Sequence, residues 1–147
     1  MINSEISAIE RYLGLSVVSG SYDSRLAEIE RYLKLTVGKG QYRARIDEIN
    51  RVIDLPIYII EQPPSDIYYS AGDTVVISVK AIGKNVAYQW QYLSSQGVWT
   101  NSTASSASTA NFTFSYNTSY NGRDYRCKLT SGTTTVTSDE CTIHTAT

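Results

Sequence analysis

Over the first third of the chain, aliphatic residues recur at a spacing of three and then four: Ile6, Ile9 and Leu13; Leu26, Ile29 and Leu33; Ile46, Ile49 and Ile53. That spacing sets three side chains on one face of a helix, so each triplet predicts a short amphipathic helix. The triplets belong to a repeat with an offset of 20 residues. Ala8-Ile9-Glu10-Arg11-Tyr12-Leu13-Gly14-Leu15 returns as Glu28-Ile29-Glu30-Arg31-Tyr32-Leu33-Lys34-Leu35, and more loosely as Glu48-Ile49-Asn50-Arg51-Val52-Ile53-Asp54-Leu55. Tyr22 matches Tyr42, and Arg25 matches Arg45. In one continuous helix a shift of 20 residues turns the apolar face through roughly 200°, which excludes a straight rod. The chain breaks instead at Gly14 with Gly20 and at Gly38 with Gly40, where glycine accepts turn conformations closed to other residues.

Helices of this length do not persist alone in water, and a segment of 55 residues offers little interior to cover them. The connectors carry further apolar residues, Val17, Val18 and Val37. The expectation is therefore cover by other copies of the chain. Ile-rich core positions lean towards more than two strands, so the expected assembly is a homotrimer whose interface is Ile6, Ile9, Leu13, Leu26, Ile29, Leu33, Ile46, Ile49 and Ile53. Eight basic and eight acidic residues balance in this segment, and pairs such as Glu30 with Lys34 and Asp47 with Arg51 stand four apart. They read as solvated helix faces without chemistry.

The period changes at Pro56, which ends the third helix and sets a boundary between residues 1–55, an oligomerising and docking base, and residues 56–147. Beyond it, apolar and polar residues alternate. Ile57 to Glu61 reads as a first strand and Gln62-Pro63-Pro64-Ser65 as a kink on an edge strand. Val75, Ile77 and Val79, then Tyr88, Trp90 and Tyr92, then Phe112, Phe114 and Tyr116, then Tyr125, Cys127 and Leu129 each alternate with polar neighbours. Residues 94–110 are rich in Ser, Thr, Asn and Ala around Val98 and Trp99, which predicts a short edge strand and a loose, mobile connection. Gly132 tops the last hairpin, and the closing strand runs through Val136 to Cys141 and Ile143. Six to eight strands at this spacing make a two-sheet sandwich. The fold class is thus mostly β with a small α N-terminal region.

Composition narrows the function. Thirteen Lys+Arg against fourteen Asp+Glu give a net charge of -1, without the basic excess that nucleic acid or anionic membranes attract. No apolar run reaches the length of a membrane helix, and Met1-Ile2-Asn3-Ser4-Glu5 lacks the pattern of a secretory signal, so the expected site of synthesis is the cytosol. Only Cys127 and Cys141 occur, which favours free buried thiols over a disulfide framework.

Catalytic chemistry finds no footing. The single histidine, His144, is close to the end of the chain, no Cys/His set has zinc spacing, and no glycine-rich loop or calcium loop is present. The reading is a non-enzymatic protein without metal or cofactor. Binding remains. Tyr68, Tyr69, Trp99 and Tyr120 fall near turns or edges beside Asn, Gln and Ser, and are the candidate contacts for carbohydrate or protein.

Tyr88-Gln89-Trp90-Gln91-Tyr92 and Asn121-Gly122-Arg123-Asp124-Tyr125-Arg126-Cys127 resemble the immunoglobulin-like domains common in bacterial surface proteins and tailed-phage virion proteins, over residues 57–145. The resemblance implies that Trp90 fills the core and that Tyr125, two residues before Cys127, forms a tyrosine corner bonded back to the main chain. No cysteine accompanies Val75, Ile77 and Val79, so the inter-sheet disulfide of antibody domains cannot form. A helical base followed by such a module is similar to phage capsid decoration proteins and head fibres. That likeness implies a virion protein assembled in the host cytoplasm, with a capsid or tail protein as partner and host-surface carbohydrate as a weak ligand. A tail or baseplate fibre, a bacterial adhesion module and a carbohydrate-binding module are the alternatives.

Overall fold

The computed structural model describes residues 2–16 and 20–147; Val17 and Val18, the connector valines noted above, lie outside them. The chain divides into two compact units, Met1–Leu55 and Pro56–Thr147.

The first unit holds helices α1 (Ile2–Tyr12), α2 (Tyr22–Tyr32) and α3 (Tyr42–Ile53). Ser21 caps α2, its side chain accepting the Ser24 N–H at 3.1 Å, which satisfies one of the unpaired donors of a helix start. At the far ends α1 and α2 close alike. Leu15 N–H reaches Glu10 O and Leu35 N–H reaches Glu30 O, both at 2.8 Å, with Gly14 (φ 74°) and Lys34 (φ 62°) in the left-handed conformation. The third copy ends differently. Asp54 stays right-handed and Pro56, standing where the other copies have Ser16 and Thr36, turns the chain away.

Each helix packs on both others, and here the structure corrects the sequence reading. Ile6, Leu26, Ile29, Leu33, Ile46 and Ile49 are fully buried, and Ile9 and Leu13 nearly so, within a single chain. Three faces of three aliphatics suffice to cover one another once the helices close into a set, each such burial contributing roughly 1.5–3 kcal/mol. These residues are the interior of the unit and need no other copy to cover them. In the third copy it is Val52, not Ile53, that is buried; Ile53 is only half-buried.

The second unit is a β-sandwich. Strand β1 (Ile57–Glu61) pairs with β4 (Lys80–Gly83), and β3 (Thr74–Ser78) with β7 (Asn111–Ser115), in one layer. The other layer runs β2 (Asp66–Tyr69), β10 (Cys141–Thr145), β8 (Asp124–Ser131), β5 (Ala87–Leu93), β6 (Trp99–Asn101), with β9 (Thr134–Thr137) on the far part of β8. Alternation decides which side chains enter: Val75 and Ile77 are buried while Val76 between them is exposed. Trp90 is fully buried, stacks on Phe112 at 5.6 Å and donates its Nε1–H to Thr109 O at 2.7 Å, as the resemblance implies. The hydroxyl of Tyr125 meets the Arg123 side chain and has no main-chain partner among the described residues, so the expected tyrosine corner is not formed.

Two further expectations change. Among the described residues there are ten strands rather than six to eight, and β2 is one that the sequence hid. The Pro63-Pro64 kink carries the chain from the β1 layer to the opposite sheet, where β2 runs parallel to β10. The stretch from 94 to 110 is tied down rather than loose: a 3-10 turn at Ser105–Ser108 buries Ala107. Ser106 Oγ donates to Thr113 O at 2.9 Å and accepts the Thr113 N–H at 2.8 Å.

Candidate functional site

In the helical unit the repeat carries more than its aliphatics. Arg25 Nε and Nη2 donate to the two carboxylate oxygens of Glu10 at 3.3 and 2.6 Å. Twenty residues on, Arg45 does the same to Glu30 at 3.2 and 2.8 Å. All four side chains are buried, which overturns their reading as solvated charge; Glu30 pairs with Arg45 and not with Lys34, and Asp47 lies near Arg43 rather than Arg51, which pairs with Glu48. The third donor follows the repeat too, since Arg25 Nη1 reaches Asn3 at 2.6 Å and Arg45 Nη1 reaches Asp23 at 2.7 Å. A planar guanidinium matches a carboxylate through two parallel bonds, so a buried pair of this kind satisfies both charges. The bond to Glu10 holds the Arg25 guanidinium above its ordinary pKa, and Glu30 does this for Arg45.

Both ends of the series are altered. Glu5 stands where Arg25 and Arg45 stand, and Asn50 where Glu10 and Glu30 stand, so no charge of the ladder is left buried alone. Glu5 instead accepts from Arg43 Nη2 at 2.8 Å, linking the third helix to the first at the exposed surface. Tyr22 and Tyr42, the first residues of α2 and α3, meet edge to face at 5.4 Å, so these helices start from the same end of the unit. The Arg25/Arg45 match is the sequence signal for this network; what hid it is that a buried pair and a solvated pair use the same residue types.

In the sandwich, the side chains of the larger sheet that turn away from the core form a flat polar face. At its β6 side, Gln91 Nε2 donates to Asn101 Oδ1 at 2.8 Å, Arg126 Nε donates to Gln91 Oε1 at 3.0 Å, and the Arg126 guanidinium carbon lies 4.2 Å from the centre of the Trp99 ring. At its β2 side, Tyr68 is 64% exposed and stacks on His144 at 4.9 Å, and His144 Nε2 lies 2.8 Å from Asp66 Oδ1. Thr142 Oγ1 donates to Asp124 Oδ1 at 2.6 Å between the two ends. Trp99 and Tyr68 therefore share one face, at opposite edges of the sheet.

The other two candidate contacts do not join them. Strand alternation turns Tyr69 inward, where its hydroxyl accepts the Val76 N–H at 3.2 Å. Tyr120 packs on Phe114 and Tyr116, with Arg123 4.7 Å above its ring. Both support the fold. Arg126, Gln91 and Asn101 were not legible as partners of Trp99, because only cross-strand register brings them together.

Burial pushes the thiols of Cys127 and Cys141 up to about 12 and about 11, so neither is a nucleophile near neutral pH. Both are free. Among the described residues no group of three or more His, Cys, Asp or Glu side chains could hold a metal ion, and no helix is long and apolar enough to cross a membrane.

No family model and no curated protein matches the chain. Among solved structures it is similar to Sidekick-1 immunoglobulin domains 1-4 (crystal form 1), with 18% identity and a TM-score of 0.50, over 64% of this chain and 24% of that one. It is also similar to Sidekick-1 immunoglobulin domains 1-5, with 16% identity and a TM-score of 0.47, over 62% of this chain and 18% of that one. The chain thus spans about a quarter or less of these two structures, and the likeness gives the fold of an immunoglobulin-like sandwich; the three helices precede it in the chain.

Proposed function

We propose that this chain is a passive surface protein of a virus particle, a capsid decoration protein or head fibre of a tailed phage. Residues 1–55 attach to the particle and residues 56–147 are displayed for weak adhesion to host-surface carbohydrate. The observation that carries the reading is the division of labour within one chain. A small helical unit that satisfies its own aliphatics and its own buried charges leaves its outer surface free for docking. It is joined to an immunoglobulin-like sandwich whose polar face carries aromatic and cationic groups. Binding is the function class that such groups serve, and many copies on a particle multiply a weak contact. A trimer through the aliphatic stripe is not part of this reading, because that stripe lies inside one chain.

Immunogold labelling with antibody against residues 56–147 tests it on intact particles from the lysate in which the chain is produced. Label over the heads is the expected result. Label confined to tails would move the protein to a tail or baseplate fibre. Label on bacterial envelopes, with bare particles, would overturn the proposal in favour of a cellular adhesion module.

A further inference from the structure

Arg126 is held as a freely solvated surface arginine is not. Its Nε is fixed by Gln91, which is only 9% exposed and is itself fixed by Asn101, and its plane is braced against Trp99. Two direct supports, one of them itself braced by Asn101, remove much of the rotamer freedom that binding would otherwise have to freeze. These contacts use Nε and the flat face. The two terminal nitrogens, with four N–H donors between them, meet no acceptor among the described residues. Lys128, two residues along the same strand and exposed, stands on the same face, about 7 Å away. The side chains of the β5 and β6 neighbours on this face are neutral amides, those of Gln89, Gln91 and Asn101; the nearest acid along β8, Asp124, is engaged by Thr142.

A fixed fork of parallel donors matches a carboxylate, a second cation beside it raises the local positive potential, and an indole edge with the exposed amide of Asn101 suits the C–H and hydroxyl groups of a pyranose. We propose that Arg126, with Lys128, Trp99 and Asn101, binds the carboxylate of a uronate residue in an acidic polysaccharide. The proposal rests on the display role given above and names its ligand class. Gln91 is a positioning residue, acting through Arg126.

The test is isothermal titration of the full chain with tetragalacturonate, with maltotetraose as the neutral probe of the same length and tetraglutamate as the acidic peptide. The expected result is weak binding of the uronate, loss of that binding at raised salt, and no binding of maltotetraose. Arg126→Met should weaken binding about tenfold or more, and Arg126→Lys nearly as much because the fork is lost. Lys128→Met should weaken it less, and Lys39→Met in the helical unit should leave it unchanged. An unaltered thermal transition of Lys128→Met keeps the comparison valid should Arg126→Met fold poorly. Equal binding of maltotetraose, full binding by Arg126→Met, or no uronate binding overturns the inference; binding of tetraglutamate as tight as that of the uronate also overturns it, in favour of an acidic protein partner. A chain that labels particles but ignores uronate sinks this inference alone, whereas uronate binding without particle labelling upholds the site and sinks the virion reading.

Discussion

Arg45 grips both carboxylate oxygens of Glu30 across the joint between the second and third helices, at 2.8 and 3.2 Å and out of reach of solvent. Removing one partner leaves the other charged and buried. Arg45→Met should therefore cost about 3–5 kcal/mol of the helical unit's stability, whereas Arg45→Met with Glu30→Gln should cost much less. Urea unfolding followed by helical circular dichroism reads both. Equal losses in the single and double variants would mean that the charges contribute nothing specific.

Ile29 is fully buried between the three helices of one chain. Ile29→Asp places an unpaired carboxylate there, and the expected outcome is loss of the helical signal with the sandwich still folded. The loss should be the same at any protein concentration, since the residue is covered by its own chain. A midpoint that rises with concentration would restore the oligomeric interface.

Lys34 adopts φ 62° at the end of α2, where the matching position of the first copy is Gly14. A side chain costs roughly 1–2 kcal/mol in that conformation, part of which glycine's greater freedom in the unfolded chain offsets. Lys34→Gly is expected to raise the stability of the helical unit by about 0.5–1 kcal/mol, seen as a higher thermal midpoint; a lower one would refute the strain.

The Gly40 N–H, and next the Arg45 guanidinium, hold the Asp23 carboxyl below its ordinary value of 3.8. A carboxyl with a lowered folded pKa adds stability that is fully present above the unfolded value and is lost as pH falls through the folded one. Acid titration should therefore unfold the helical unit later in the wild type than in a chain whose carboxyls titrate normally. Asp23→Asn should flatten this dependence below about pH 4.

Cys127 and Cys141 should be silent to thiol reagents in the native chain at neutral and mildly alkaline pH, with both reacting once denaturant is added. Their raised pKa values carry the opposite sign to that of Asp23: the stability linked to them is present below the unfolded value of 9.0 and is lost as pH rises towards the folded ones. Rapid labelling of the native protein would show that the core opens readily.

Periodicity carried much of the architecture. The three-and-four spacing marks each helix, and alternation around Trp90 and Tyr125 marks the buried face of the sandwich. Its limit is seen at Ile53, where the same spacing picks the wrong residue because the third helix closes without the left-handed cap of the other two. Parallel pairing of β2 with β10 was illegible because it joins residues far apart in sequence, with no turn between them to announce it. The Trp99–Arg126 stack is hidden for the same reason. Glu10 and Arg25 were visible as charges, but nothing in a single copy says that their burial is mutual.

Asn50 gives the ladder a terminus, and this has a bearing on how such arrays could lengthen. A duplication spliced in behind the third helix would present a new arginine to an amide that cannot neutralise it, so growth by recombination would need Asn50→Glu in the same event. A taller stack would need that position edited together with Pro56, which turns the chain out of the array.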